Sequence, residues 1–336
     1  MSSTSFRFRA SFVLLAGSLA LAGCGSSSDG DPASSPGTSA AGAGGSAAAG
    51  AGGSSSAGAA GTGGSAAVTP GIKRDGNKVT ITMEPFVVPP GEEVYRCQNF
   101  ANPFDGDVDV TRFASHMPEG SHHLLVFYKP GIADGPLAPC SGLEFTASPY
   151  STQLPDDEVK YPAGVGAHVQ KSNGFRLQSH YLNTTKEPIN ATVQVTLDLA
   201  DPGVTLQPAG VLFMVQPSFS VPPNTKQTVT RTCKLPVDAN ILLASGHMHR
   251  HGTHFEASID GKLVYQTDMW NDPKPGRFDP PMTFPAGAQI KFSCTFQNNE
   301  TTPLTFGESA KTDEMCISNM QFYPLPAGSP ATLDCK

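Results

Sequence analysis

The chain has 336 residues, with 22 basic and 29 acidic side chains, a net charge of −7 and no basic run. Nucleic acid is therefore not an expected partner. Its 35 glycines and 30 prolines punctuate short apolar–polar alternations, and no segment sustains a 3.6-residue apolar period, so the chain reads as all-β.

Residues 1–24 read as an export signal. Arg7 and Arg9 supply the basic n-region, and the apolar stretch 11–21 is too short for a permanent span. It ends in Leu21-Ala22-Gly23-Cys24, which resembles a bacterial lipobox. Cys24 is then the lipidated first residue of the mature chain, and the membrane is a partner through that anchor. Gly25, where an Asp would signal inner-membrane retention, points to the outer membrane of the cell envelope. The alternative is an ordinary cleaved signal with an incidental cysteine. Residues 25–77 are dominated by Gly, Ala and Ser. Such a segment buries too little apolar surface to offset its chain entropy and reads as a flexible, disordered tether.

The remainder, about 260 residues, is enough for one large or two medium domains. Residues 79–83, 191–197 and 290–294 alternate apolar with polar side chains, as half-buried strands do. The break at 199–203 divides the chain into two expected β-sandwiches, 78–202 and 203–336. The competing reading is a single larger sandwich. Six cysteines lie beyond Cys24: Cys97, Cys140, Cys233, Cys294, Cys316 and Cys335. An even count in an exported chain argues for disulfides, although spacing alone does not choose the pairing. No CxxC occurs, which argues against a thiolate zinc site or a redox dithiol.

Histidines carry the chemistry. His122 and His123 are adjacent, and neighbours on a regular strand face opposite sides. Both reach one ion only if the backbone bulges there, and residues 119–121 offer a turn. The bland alternative is one histidine in the core and one outside. In residues 175–181, Gln178 and His180 share a strand face, and a lone strand histidine is more often structural than a ligand. His247 and His249 stand two apart at the end of a strand-like run, so both imidazoles point one way and Met248 points the other. Met315 lies in Asp313-Glu314-Met315-Cys316; methionine of itself usually fills core gaps. Together these residues offer five imidazoles and one thioether, a donor set that suits copper, with the thioether favouring Cu(I).

The order of these fragments (HH, LQxHY at 177–181, HxH, DEMC at 313–316) resembles the copper type II, ascorbate-dependent monooxygenases, the family of the peptidylglycine- and dopamine-hydroxylating enzymes. Tyr95-Arg96-Cys97 ahead of the histidine pair and the stretch 161–166 ahead of LQxHY extend the resemblance over about residues 78–336.

The resemblance implies two antiparallel, jelly-roll-like sandwich domains with one copper ion on each, facing each other across a solvent-filled cleft. His122, His123 and His180 would hold the first copper and store an electron. His247, His249 and Met315 would hold the second, catalytic copper, beside O2 and a small organic substrate. Ascorbate or another one-electron reductant would be the co-substrate. The implied disulfides are Cys97–Cys140, Cys233–Cys335 and Cys294–Cys316. Tyr95 and Gln178 match cleft-lining positions. Ser245 stands where the peptide-amidating branch places an arginine for the substrate carboxylate, and Ile317 and Asn319 replace its Asn and Tyr. The expected substrate is thus not a peptide ending in glycine but a molecule with an activated C–H bond. His116, His168, His251 and His254 have no matched role; the last two either support the ligands from behind or are exposed, and exposure is expected. Two competing functions are a copper-binding or copper-delivery lipoprotein without catalysis and an adhesive β module. Oligomeric state is not fixed by the sequence.

Overall fold

The structure, a computed structural model, describes residues 69–144 and 147–336. Cys24, the expected signal and most of the expected tether lie outside the described residues. Among the described residues every regular element is a strand. The alternation that drives them is clearest in Gln289–Asn298: Ile290, Phe292, Cys294 and Phe296 are buried, while residues between them face outward. Each fully buried apolar side chain of this size contributes roughly 2 kcal/mol, so the inward face dictates the register.

In the N-terminal half, one sheet orders the strands Gly71–Asp75, Lys78–Thr82, Gln194–Leu199, Val108–His116, Val165–Val169 and Gln207–Pro208, with Asp156–Lys160 beside Val108–His116. The other runs Ala138–Pro139, Glu93–Phe100, Asn173–Leu182, Ser121–Pro130 and Tyr150–Thr152. In the C-terminal half, one sheet is Gly276–Phe284, Ala239–His247, Ile317–Tyr323, Gly210–Val215 and Thr332–Leu333. Its companion is Thr225–Lys234, Gln289–Asn298, Gly252–Ile259 and Lys262–Thr267. Among the described strands pairing is antiparallel except for two short parallel contacts, by Gln207–Pro208 and by Thr332–Leu333, and an isolated parallel bridge joins Phe306 to Glu314.

Each half encloses its own hydrophobic core. Ile81, Phe113, Val126, Phe175 and Leu197 lie in the first, and Leu212, Ile241, Phe255, Phe292 and Phe322 in the second. Each half is thus a β-sandwich. Leu243 of the C-terminal half packs into the first core, so the two cores touch. Three disulfides are present: Cys97–Cys140, Cys233–Cys335 and Cys294–Cys316, the pairing that the resemblance implies.

Two strands lie across the expected boundaries. Gly71–Asp75 falls inside the expected tether, yet it pairs along its whole length with Lys78–Thr82. This edge strand shows little apolar periodicity because the backbone ladder holds it, with three of its five residues exposed. At the other boundary, Gln207–Pro208 still pairs with the first sheet and Ala209 still packs in the first core, beyond the break at 199–203.

Candidate metal centre

The N-terminal half contributes imidazoles from two neighbouring strands, Ser121–Pro130 and Asn173–Leu182. His180 pairs with His123, but Tyr181 pairs with Ser121, so His122 is the extra residue of a β-bulge. The bulge answers the geometric problem posed by two adjacent histidines: both rings are buried and lie 5.4 Å apart between centroids. Gly120, just ahead, sits at φ 89°, and a Cβ there would fall 2.4 Å from the Ile189 side chain. Only glycine combines that conformation with that approach.

The C-terminal half contributes His247 at the end of Ala239–His247 and His249 in the turn before Gly252–Ile259. Met248 between them is buried in the second core, consistent with its facing away. Met315 is buried two residues ahead of Ile317, which pairs with His247 across adjacent strands. The Cys294–Cys316 bridge anchors the residue next to Met315.

The two sets meet. The His122 ring lies 4.9 Å from His180, 4.9 Å from His247 and 5.5 Å from His249, centroid to centroid. His123 lies 5.4 Å from His247. The expected solvent-filled cleft between the two ligand sets is not found among the described residues: the imidazoles of both halves form one buried cluster. His122, His247 and His249 each offer a ring nitrogen, all within 4.8 Å of one another.

Hydrogen bonds fix three tautomers. The Gln153 Nε2 donates to the Gly246 carbonyl at 2.9 Å, so its Oε1 faces His247 Nδ1 at 2.6 Å and must accept. His247 Nδ1 is then protonated, and Nε2 carries the lone pair. His249 Nδ1 faces the Asp313 carbonyl at 3.1 Å, which again leaves Nε2 as the lone-pair atom. His180 Nε2 donates to the Glu93 carboxylate at 2.8 Å, which leaves Nδ1 as the lone-pair atom, accepting from His123 Nε2 at 3.3 Å. Four ring nitrogens, His122 Nε2, His123 Nδ1, His247 Nε2 and His249 Nε2, are buried without a partner. Stranded polar atoms cost about 1–3 kcal/mol each, and their concentration here fits a cation. Imidazoles oriented by a carbonyl, an amide and a carboxylate are the usual arrangement around a metal. With Met315 in the adjoining wall, the donors suit copper.

Electrostatics agree. Burial holds His122, His123 and His247 well below the ordinary imidazole value, reinforced by their neighbours. Burial also lowers His249, against the opposing pull of Glu314, and lowers His180 to about 4 despite Glu93. The rings are neutral and available as ligands. Burial would raise Glu93, but hydrogen bonds from His180, the Ala310 amide and Ser309 outweigh it and hold the carboxyl at about 2.

Two supporting groups escaped the sequence reading altogether. Gln153 and Glu93 are ordinary polar residues far from any ligand in sequence. Glu314 also supports the centre, a role that its place in the DEMC fragment does not disclose. This fully buried carboxylate accepts from the amides of His249 and His251, at 3.0 and 2.8 Å, and from His251 Nδ1 at 3.0 Å. His251, expected to be exposed, is therefore buried, and the bond to Glu314 raises its pKa. His254 is half-exposed beside Asp268, while His116 and His168 pair with Asp156 and Asp109.

Beside His247 and Met315 opens a narrow cavity of about 70 Å³. Leu125, Leu154, Phe213, Leu243, Pro275 and Ile317 supply its apolar wall, and Ser245, Asn319, Ser151 and Asp157 its polar groups. Among the described residues no Lys or Arg lines it. Of the expected cleft residues only Ser245 is in this wall. Tyr95 instead stacks on His180 at 3.8 Å, and Gln178 is buried, donating to the Ser141 carbonyl at 2.9 Å.

Comparison with known proteins places the C-terminal half. Residues 207–334 match the copper type II ascorbate-dependent monooxygenase, C-terminal domain. The peptidyl-glycine alpha-amidating monooxygenase A of Xenopus laevis is 24% identical over 278 residues, which cover 75% of this chain but 28% of that protein. Among solved structures, the major capsid protein P2 of bacteriophage PM2 is 8% identical, with a TM-score of 0.28 over 75% of this chain and 99% of that one. A cupin 2 conserved barrel domain protein from Leptotrichia buccalis is 9% identical, with a TM-score of 0.15 over 74% of this chain and 85% of that one. Structural likeness this low carries no argument. The sequence match does, and it coincides with the residues that form the second half of the cluster: residues 207–334 are similar to the C-terminal domain of the copper type II, ascorbate-dependent monooxygenases.

Proposed function

We propose that the chain is a copper-dependent monooxygenase that hydroxylates an activated C–H bond of a small organic substrate. One oxygen atom of O2 enters the substrate and the other leaves as water, with two electrons from ascorbate or another one-electron reductant and two protons. The observation that carries this reading is the convergence of four unpartnered, buried imidazole nitrogens beside a buried thioether. Copper, when bound, supplies the O2 reactivity and the one-electron steps that organic side chains lack. His122, His123 and His180 would hold one ion and His247, His249 and Met315 a second.

The protein's own contribution is positioning. Gln153 and the Asp313 carbonyl aim the Nε2 atoms of His247 and His249 into the cluster. Burial of the rings keeps them unprotonated and the surroundings dry. The cavity brings a substrate group to the Met315 side, where proximity lowers the barrier. Its narrow, cation-free wall does not suit a peptide carboxylate, since Ser245, Ile317 and Asn319 occupy it. A small molecule with an apolar body is the better fit. The lipobox-like Leu21-Ala22-Gly23-Cys24 supports a lipid anchor at Cys24 in a bacterial envelope, tested by the mass of the mature N-terminus.

A second reading has one observation in its favour. His122, His247 and His249 surround a single point across the two halves, as would serve a one-ion copper carrier. Oxygen uptake by copper-loaded protein with ascorbate and a panel of small amines, thioethers and benzylic compounds separates the two. The monooxygenase gives uptake coupled to a hydroxylated product, abolished by Met315→Ile while copper stays on the all-histidine set. Bound copper with no coupled uptake supports the carrier, and full activity in Met315→Ile overturns the assignment of the sites.

A further inference from the structure

One short segment of the C-terminal half, residues 308–315, touches both ligand sets, and one carboxylate of the N-terminal half, Glu93, binds both this segment and a candidate ligand. Glu93 Oε1 accepts from His180 Nε2 at 2.8 Å and from the Ala310 amide at 2.6 Å, and Oε2 accepts from Ser309 Oγ at 2.8 Å. Around it, Tyr95 Oη donates to the Glu308 carbonyl at 2.6 Å, and Ser141 Oγ and the Gly142 amide donate to the Glu308 carboxylate at 2.8 and 2.7 Å. Lys311 Nζ donates to the Gly91 carbonyl. The receptacle is itself fixed: Cys140, next to Ser141, is bridged to Cys97 on the strand that carries Tyr95. Gly142 must be glycine, because a Cβ there would lie 2.4 Å from the Tyr95 ring. A few residues on, the same segment supplies the carbonyl of Asp313 to His249, the carboxylate of Glu314 to the His249 and His251 amides, and Met315 itself.

We propose that Glu93 is a positioning residue shared by both ligand sets. It orients His180 and at the same time latches residues 308–315, so that the first set is presented to metal only when the segment carrying Met315 is docked. The orienting half of this proposal rests on the copper reading above; the latch does not. Charge-assisted bonds of this kind are among the stronger hydrogen bonds, and three of them share one carboxylate. A metal ligand that loses its orienting partner typically loses about ten- to a hundred-fold in affinity.

The test compares wild type with Glu93→Ala and Glu93→Gln in two measurements. The first is amide hydrogen exchange of residues 309–315 in metal-free protein. The second is titration with copper alone. Glu93→Ala should accelerate exchange in that segment and weaken the first-set copper by about ten- to a hundred-fold. Glu93→Gln should recover most of both, since its amide oxygen still accepts from His180 and Ala310 while Ser309 Oγ turns to accept from its NH2. A purely structural role for the charge would not show that rescue. Unchanged exchange in Glu93→Ala overturns the latch. Faster exchange with unchanged copper affinity overturns the orienting role. If wild type binds no copper, the copper reading and the orienting role fail together, while the exchange comparison still decides the latch. Should Glu93→Ala fail to fold, Ser309→Ala removes one bond from the loop side. It should accelerate exchange in the same segment to a smaller degree, and no change would overturn the latch.

Discussion

Gln153 illustrates how the centre is built at the scale of single residues. Its amide is oriented by a backbone carbonyl, which can only accept, and the imposed orientation passes to His247. Gln153→Ala should weaken copper at the His247/His249 set by about ten- to a hundred-fold. Trp270, the only tryptophan, lies 5.9 Å from the His122 ring, so quenching of its emission during a copper titration reads this directly; an unchanged titration curve would contradict the tautomer argument. Glu314 belongs to the same scale. Removing it leaves two buried amides and His251 without their acceptor, so Glu314→Ala should cost roughly 3 kcal/mol, measurable by urea unfolding. A loss within experimental error of zero would mean water replaces the carboxylate. The candidate donors stood out in the sequence through the order of the HH, LQxHY, HxH and DEMC fragments, whose residue types suit a metal. Their supports did not, since Gln153 and Glu93 are common polar residues that only the fold brings to the rings.

At the scale of elements, the adjacent histidines posed a constraint that the sequence made explicit: two neighbours cannot face one ion from a regular strand. The bulge at His122 meets it. The strands of the second half were equally readable, because a buried face imposes strict alternation, as in Gln289–Asn298. Gly71–Asp75 was unreadable for the opposite reason, since an edge strand held by its ladder needs no apolar side chains. The Cys294–Cys316 bridge spans 22 residues and fixes the neighbour of Met315. Replacing both cysteines with alanine should lower stability by roughly 3 kcal/mol in the chain-entropy view. If the bridge also serves the site, turnover should fall more steeply than the folded fraction. Loss of activity in strict proportion to unfolding would limit the bridge to a structural role.

At the scale of the whole molecule, two sandwiches with separate cores bring five depressed histidines into one cluster. Strand periodicity points to all-β and the break at 199–203 to a division in two, but neither says how closely two faces approach, and here the imidazoles meet in one buried cluster. The cluster sets a pH dependence. When a folded histidine lies below its unfolded value, the unfolded chain takes up more protons, so stability falls as the pH drops through about 6.5. His251 is shifted the opposite way by Glu314, and one raised histidine does not offset five lowered ones. The metal-free protein should therefore melt at progressively lower temperature between about pH 7.5 and 5.5, and saturating copper should flatten the trend. A melting temperature independent of pH over that window would contradict burial of neutral rings.

In the proposed copper centre the histidines of both halves act together with Met315. This is tested most directly by counting copper ions retained per chain after dialysis, in wild type and in the His247→Ala/His249→Ala double variant. Two ions are expected in the wild type and one, held by the all-histidine set, in the variant. A wild-type protein that retains no copper, or a variant that retains as much as wild type, would contradict it.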